Sequence, residues 1–233
     1  MDWIWILYRP LVARAARQVL VGRVRLRQAP ERGRFTRANV DGFLKGAWAR
    51  YAAETPNLPP QSTVGSTMNV RLACFTMSFF DELLANGIER GYAIEIIADA
   101  AWQVYRLWAR IALGITRLSP HTKTVLGFAA VRNSDRERVI SLRFPFNAPG
   151  YLIEPVAAEQ GLAFDVVQCP VASYFRARNA ADLCVASWCN LDYPVAEMTH
   201  ETLVRTRTLV SGNDRCDFRP GGRQTPEREQ SRP

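Results

Sequence analysis

The stretch LVRTRTLVSGNDRCDFR, residues 203–219, predicts a β-hairpin in the C-terminal part of this 233-residue chain. Its first eight residues are rich in β-branched side chains and alternate in polarity, which is typical of a strand. The polar turn Ser211–Asp214 contains a glycine, so Cys216–Arg219 can return beside the first strand. On such a strand Arg205 and Arg207 are expected to project from the same face.

Upstream of the hairpin, the sequence predicts a helical half followed by a half that contains strands. The spacing of apolar residues predicts helices over 34–53, 65–86, 92–113 and 119–131, with breaks over 54–62 and at Asn86-Gly87. Further strands are predicted over 139–144 and 163–168, and a short helix or turn over 171–178. The expected fold class is therefore α+β, in which a helical N-terminal half precedes a small, mainly antiparallel sheet with short helices.

The first 33 residues are predicted to form an N-terminal arm that contains a basic amphipathic helix. Pro10 suits the first turn of that helix, and the residues after it place an apolar stripe opposite a face that carries arginines. We expect the helix to pack on the core or on a second copy of the chain, and the alternative is weak contact of residues 1–30 with an anionic membrane. The apolar run Trp3–Tyr8 is too short for a membrane span or an export signal, so a cytoplasmic protein is expected.

The remaining boundaries follow from composition. We expect a single α+β domain over 34–219, helical over 34–132 and sheet-containing over 133–219, and then a disordered polar tail over 220–233.

The net charge of the chain is confined to its first fifth. The formal charge is +8, from 30 Lys+Arg against 22 Asp+Glu. Residues 1–50 alone contain eleven basic and three acidic residues, so the rest of the chain is electrically balanced. This distribution excludes a uniformly basic nucleic-acid coat protein, and no nucleic-acid partner is expected.

The cysteine pattern favours free thiols over disulfides or zinc. The five cysteines are Cys74, Cys169, Cys184, Cys189 and Cys216. An odd number without an export signal argues against a disulfide framework, and their spacing matches no zinc template. A glycine-rich phosphate loop is also missing from the sequence, so no metal and no cofactor are expected. Cys74 and Cys184 are expected to be buried and to act as small apolar residues.

Groups that can perform chemistry concentrate between Cys169 and Phe218. Cys169 follows a predicted strand, which is a usual position for reactive side chains. Cys189 and Asp192 are three residues apart, so they share one face if this segment is helical. The candidate catalytic residues are Cys189, Asp192, Cys169 and Cys216, and the candidate substrate-binding residues are Arg205, Arg207, Thr206 and Asp217.

These motifs resemble the C-terminal signature of the L-2-amino-thiazoline-4-carboxylic acid hydrolase family. The matching strings are WCNLD at 188–192, LVRTRTLVSG at 203–212 and CDFR at 216–219, with Cys169-Pro170 upstream. The resemblance extends over residues 60–219, and its specific part lies within 169–219. It implies a hydrolase that opens a cyclic isothiourea bearing a carboxylate and produces a carbamoyl-cysteine.

The chemistry of these residues is compatible with such an activity. The carbon between nitrogen and sulfur is electrophilic, so a thiolate of Cys189 or, equally, of Cys169 can attack it. Asp192 can then act as the general acid and base. The guanidinium of Arg205 can bind the substrate carboxylate through two parallel hydrogen bonds. A small-molecule substrate is therefore the expected partner.

Two other functions are compatible with the same residues. One is a non-catalytic small-molecule-binding module, in which the thiols are buried and unreactive. The other is suggested by Cys189-x-x-Asp192 with further thiols, which is similar to the local arrangement in organomercurial lyases. In those enzymes paired thiolates hold mercury and an aspartate delivers a proton to carbon. Each candidate residue also has a structural interpretation, as a core thiol, an ion-pair partner or a turn residue.

Overall fold

The computed structural model describes residues 4–23, 35–117, 150–158, 163–198 and 201–223, and the structural statements below concern these residues. The helices in chain order are α1 (Ile4–Leu20), α2 (Arg37–Glu54), α3 (Val64–Ala85), α4 (Arg90–Arg117), α5 (Pro170–Arg176), α6 (Ala181–Ser187) and α7 (Asp192–Met198). The strands are β1 (Leu152–Val156), β2 (Ala163–Gln168), β3 (Glu201–Val204) and β4 (Cys216–Arg223). The predicted α+β class is confirmed, whereas the helix predicted over 119–131 and the strand predicted over 139–144 lie outside the described residues.

Helix α1 is an integral part of the N-terminal core. Its Trp5 is 4% exposed, and the indole Nε1 donates a hydrogen bond of 2.8 Å to the Tyr51 hydroxyl of α2. The Trp5 ring also packs against Trp48 and Phe75, with centroid distances of 4.7 and 5.3 Å. The predicted apolar face of this helix is therefore confirmed to pack on the core.

The start of α1 corrects the prediction for Pro10. The helix begins at Ile4, so Pro10 lies inside it and not in its first turn. Pro10 cannot donate an intrahelical hydrogen bond, which normally disfavours this position. Burial of Trp5 anchors the preceding turn, and tertiary packing of this kind usually contributes more to helix stability than local propensity.

The ends of α2 and α3 follow the capping signals in the sequence. Thr36 Oγ1 accepts the backbone N–H of Asn39 at 3.2 Å, while Asn39 Oδ1 accepts the backbone N–H of Thr36 at 2.9 Å, which together form a capping box. At the other end of the pair, Gly87 adopts a φ of +79° and Ile88 donates its N–H back to the carbonyl of Leu83. The predicted stop of α3 at Asn86-Gly87 is therefore confirmed.

The four strands form one antiparallel sheet in the order β1-β2-β4-β3. Strand β4 pairs with β2 so that Cys216 lies opposite Val166 and Phe218 opposite Phe164. The rings of Phe164 and Phe218 are stacked at a centroid distance of 4.7 Å. The strand continues to Arg223, beyond residue 219, at which the sequence predicted the domain to end.

The strand predicted over 203–210 is wrong from residue 205 onward. Strand β3 ends at Val204, and the chain leaves the sheet where the Asp217 carboxylate binds the backbone N–H groups of Thr206 and Arg207. Its Oδ1 accepts Thr206 N at 2.9 Å and Arg207 N at 2.6 Å. Consequently Arg205 and Arg207 do not project from one face of a strand, although the predicted antiparallel return of β4 beside β3 is confirmed.

A buried carboxylate ties β2 to β4. Asp165 is 3% exposed and opposes Asp217 across the strand pair. It accepts hydrogen bonds of 2.8 Å from Arg215 Nη1 and 2.6 Å from Arg219 Nη2. Two cations therefore compensate the buried charge, and the arginine of the CDFR motif has a structural partner.

Candidate functional site

A cavity of about 600 Å³ lies between the N-terminal helices and the C-terminal half. Helices α1, α3 and α4 supply walls that are mainly apolar. The reactive and charged lining groups of the C-terminal half are Cys169, Cys184, Cys189, Cys216, Asp192 and Arg205. The structure thus brings together all four candidate catalytic residues and the first of the candidate substrate-binding residues.

A break in the helix positions Cys189 and Asp192. Helix α6 ends at Ser187, and Trp188 leaves helical geometry with φ −128° and ψ −63°. The chain then forms a single 3-10 turn, Cys189–Leu191, and re-enters an α-helix at Asp192. This change in helix direction places both the thiol and the carboxylate on the cavity wall, although the two residues belong to different elements.

Arg205 is a buried cation that holds this turn. Its side chain is 3% exposed, and Nη1 donates to the Cys189 carbonyl at 2.8 Å and to Asp192 Oδ2 at 3.3 Å. Its Nη2 donates to Asn190 Oδ1 at 3.2 Å, and its guanidinium lies 5.0 Å from the ring centre of Tyr193. These contacts fix the guanidinium beside both Cys189 and Asp192.

Two buried donors in the lining have no partner among the described residues. They are Nε of Arg205 and Nε1 of Trp188. Buried polar groups are normally hydrogen-bonded, so each such orphan requires an explanation. Both residues are among those that line the cavity.

The environment of Cys189 favours its thiolate. A hydrogen bond from the Cys184 thiol lowers the pKa of Cys189, burial opposes this effect, and the nearby Arg205 lowers the pKa further. The same hydrogen bond, together with burial, raises the pKa of Cys184. Of the two thiols, Cys189 is therefore the one whose environment favours ionisation.

The other two candidate catalytic thiols, Cys169 and Cys216, have raised pKa values. Cys169 follows β2, as predicted, and caps α5, where its Sγ accepts Ala172 N at 3.4 Å. Burial raises the pKa of Cys169 to about 12 despite this hydrogen bond. Cys216 Sγ accepts Leu209 N at 3.2 Å, and burial raises the pKa of Cys216 to about 11.

The remaining candidate substrate-binding residues do not line the cavity. Thr206 donates its hydroxyl to Asp217 Oδ2 at 2.6 Å, and Arg207 forms a 3.6 Å ion pair with Asp214 at the surface. Partial burial raises the pKa of Asp217, but hydrogen bonds from Thr206 and Arg207 outweigh it and hold the pKa below its ordinary value. These three residues shape the turn that carries Arg205.

The structure adds residues that the sequence did not indicate. Asn69 Nδ2 of α3 donates to the Tyr151 hydroxyl at 3.1 Å, and that hydroxyl also hydrogen-bonds to Cys169. Asn69 and Tyr151 are 82 residues apart and belong to no motif, so no sequence pattern could have paired them. Cys184, expected to be an inert core thiol, is buried at 1% exposure and is also the hydrogen-bond donor of Cys189.

Within the described residues, no group of three or more histidine, cysteine, aspartate or glutamate side chains is arranged to hold a metal ion. In the same part of the chain, no helix combines the length and the apolar character that crossing a membrane requires.

Comparison with known proteins finds one similarity, in the C-terminal part of the chain. Residues 141–219 match the family model described as L-2-amino-thiazoline-4-carboxylic acid hydrolase. No curated protein and no solved structure matches the chain. The matched segment contains Cys169, Cys189, Asp192, Arg205 and Cys216, and the description of the family names a hydrolase. Residues 141–219 are therefore similar to the L-2-amino-thiazoline-4-carboxylic acid hydrolase family, in the region where the motifs predicted the resemblance.

Proposed function

We propose that the protein is a hydrolase that opens a cyclic isothiourea or amidine-like substrate bearing a carboxylate, with Cys189 as the nucleophile. The observation that carries the proposal is that Arg205 donates hydrogen bonds to the Cys189 backbone carbonyl and to the Asp192 carboxylate at the wall of one cavity. A nucleophile, an acid/base group and a cation that can bind a carboxylate are thereby adjacent. Of the three candidate catalytic thiols, Cys189 is the one with a lowered pKa.

The first half of the reaction uses the Cys189 thiolate. Its sulfur forms a bond to the ring carbon that lies between nitrogen and sulfur, and the ring carbon–sulfur bond breaks. Asp192 delivers the proton that the departing ring sulfur requires. The product of this step is an isothiourea attached to Cys189.

In the second half of the reaction, water displaces the Cys189 sulfur from the substrate carbon. A water molecule attacks the same carbon, Asp192 accepts its proton, and Cys189 departs again as a thiolate. The hydrogen bond from Cys184 and the charge of Arg205 stabilise that thiolate. The carbon leaves as a urea, so the net reaction consumes one water molecule.

Arg205 also offers an edge on which the substrate carboxylate can bind. Its Nε has no partner among the described residues. In a guanidinium, the Nε–H and one N–H of Nη2 point out from the same edge, so this edge can donate two parallel hydrogen bonds. Arg90 uses this edge elsewhere in the protein, where Nε and Nη2 bind the two carboxylate oxygens of Asp182 at 3.0 and 2.7 Å. The orphaned Trp188 Nε1 supplies a further donor in the cavity lining.

The test is turnover of 2-amino-thiazoline-4-carboxylate by purified variants. We expect Cys189→Ser to lower kcat by at least about 10³-fold, and Asp192→Asn by about 10²- to 10⁴-fold. Cys169→Ser and Cys216→Ser are matched controls, and both should keep activity within about tenfold of the wild type. The circular dichroism spectrum of each variant reports whether it is folded.

If Cys189→Ser and Asp192→Asn are folded and turn over the substrate at the wild-type rate, the proposed mechanism is wrong. A wild-type protein that binds the compound without converting it would instead support the non-catalytic binding module. Rapid native-state alkylation of Cys189 by iodoacetamide would count against that module, because the module requires unreactive thiols.

A further inference from the structure

The cavity has more room than the reacting head of the proposed substrate requires. Its volume of about 600 Å³ equals that of about 20 water molecules in the liquid. Pockets of this size usually bury an entire drug-sized ligand. A thiazoline ring with an amino group and a carboxylate fills only part of such a space.

The additional room is bounded by apolar side chains of the N-terminal helices. From α3 the lining includes Leu72, Phe75 and Phe79, and from α4 it includes Ile97 and Val104. These residues follow one another at intervals of three, four or seven, so each helix turns one apolar stripe toward the cavity. Such walls offer water few hydrogen-bond partners. An apolar ligand group that packs against them removes their apolar surface from water, which favours binding.

Small residues keep this space open. Ala15 of α1, and Ala100 and Ala101 of α4, line the cavity at positions where a larger apolar side chain would fill it. Protein interiors are otherwise close-packed, with few voids larger than a water molecule. A cavity that remains open behind short side chains is therefore typical of a ligand site.

Charge is restricted to the other side of the cavity. Among the described lining residues, Asp192 and Arg205 are the only members of the charged residue types, and they contact each other. The Arg205 side chain is only 3% exposed. Its Nε lacks a hydrogen-bond partner in the described part of the chain. The polar part of a ligand is thus directed to Arg205, and the rest meets apolar walls.

We propose that the site takes an amphipathic carboxylate, whose charged head binds at Arg205 and whose extended apolar body lies against α1, α3 and α4. The identity of the reacting head rests on the proposed function, but binding of the carboxylate and of the apolar body does not. The substrate class is accordingly a thiazoline-type or related carboxylate that carries a large alkyl or aryl substituent. The N-terminal helices, which lie outside the family match, determine this preference.

Calorimetric titration of Cys189→Ser with straight-chain carboxylates, from butyrate to dodecanoate, tests the proposal without any turnover. We expect the Kd to fall by up to about fourfold for each added methylene until the cavity is filled. Dodecanoate should bind more tightly than dodecylamine, because the head site presents a guanidinium. A second substitution, Arg205→Gln, in the same protein should remove that preference.

The walls are tested with bulky substitutions in the Cys189→Ser background. Ala101→Trp should abolish the gain in affinity with chain length, while the matched control Ala53→Trp, on an exposed position of α2, should retain it. If Ala101→Trp does not fold, Val104→Trp tests the same wall.

A Kd that stays constant along the carboxylate series would overturn the proposal, and so would equal chain-length dependence in Ala101→Trp and Ala53→Trp. Turnover of 2-amino-thiazoline-4-carboxylate by the wild type is a separate measurement. Failure of the hydrolase proposal can therefore be distinguished from failure of the binding proposal.

Discussion

Cys189 differs from the other thiols of the cavity in its hydrogen-bond donor and in its charged neighbours. Cys169 and Cys216 each accept a backbone N–H, yet burial still raises the pKa of both. Cys189 accepts a hydrogen bond from the Cys184 thiol and lies beside Arg205. Both effects lower its pKa, and together they outweigh burial, which raises it. One neighbouring thiol and one guanidinium thus give Cys189 a lowered pKa, in contrast to Cys169 and Cys216.

Removing the donor should raise the pKa of Cys189. In the wild type the thiolate is favoured, so alkylation by iodoacetamide should reach half its maximal rate below pH 9.0, the ordinary value for a thiol. In Cys184→Ala that midpoint should shift to higher pH, because the thiolate loses a hydrogen bond. Peptide mass spectrometry after timed alkylation measures the rate at Cys189.

Cys184→Ser is the matched control, because a hydroxyl can still donate to the Cys189 sulfur. Its midpoint should lie nearer to that of the wild type than to that of Cys184→Ala. Identical pH profiles for the alanine variant and the wild type would show that Cys184 does not stabilise the thiolate.

That the candidate residues line one cavity was largely predictable, but their pKa values and contacts were only partly so. The strand end predicted the place of Cys169, and the WCNLD motif indicated both Cys189 and Asp192. Which cysteine has the lowered pKa depends on the contact with Cys184 and on Arg205, and sequence spacing does not reveal such contacts. The Asn69–Tyr151 hydrogen bond joins two distant elements and was equally out of reach.

At the scale of elements, the turn after β3 determines where Arg205 lies. The alternating pattern of residues 203–210 indicated a longer strand, but Asp217 binds the backbone N–H groups of Thr206 and Arg207 and redirects the chain. A side chain eleven residues away in sequence therefore overrides local β propensity. The result separates Arg205, in the cavity lining, from Arg207, at the surface.

Substituting Asp217 should destabilise the protein in a pH-dependent way. Asp217→Ala removes hydrogen bonds to two backbone donors and one hydroxyl, with an expected loss of about 1–3 kcal/mol at pH 7. The folded-state pKa lies below the ordinary 3.8, so the charged form contributes stability above that pH. The contribution disappears as the pH falls through the lowered pKa.

Urea unfolding at pH 7 and at successively lower pH measures this difference. The gap between wild type and Asp217→Ala should narrow as the carboxyl becomes protonated. Asp217→Asn keeps an acceptor oxygen and should lose less stability at pH 7. A loss in Asp217→Ala that is as large at low pH as at pH 7 would refute the role of the charged carboxylate.

At the scale of the whole molecule, the N-terminal helices and the family-matched segment line one cavity. The match covers residues 141–219, whereas walls of the cavity come from α1, α3 and α4. The sequence placed residues 1–33 in an N-terminal arm whose helix was expected to pack on the core or on a second copy of the chain. Trp5, Val19 and Leu20 belong to the core cluster with residues of α2 and α3, so the helix packs on the core. Amphipathic spacing predicted the apolar face of α1 correctly, yet it does not specify which element covers that face.

Truncating the Trp5 side chain should therefore destabilise the whole protein and not α1 alone. We expect Trp5→Ala to lower the free energy of unfolding by about 3–5 kcal/mol, because it removes a large buried side chain and leaves a cavity. Ile6→Ala is the control on the same helix, since Ile6 is 68% exposed and should cost well under that amount. Denaturant unfolding followed by circular dichroism compares the two, and equal small losses would support an independent arm.

The central claim is that Cys189 forms a covalent bond with the substrate. The most direct test is rapid acid quenching of the wild-type protein during turnover of 2-amino-thiazoline-4-carboxylate, followed by peptide mass spectrometry. We predict an adduct with the mass of one intact substrate molecule on the peptide that contains Cys189, and no adduct in Cys189→Ser. An adduct on Cys169 or Cys216, or continued turnover by folded Cys189→Ser at the wild-type rate, would contradict the account.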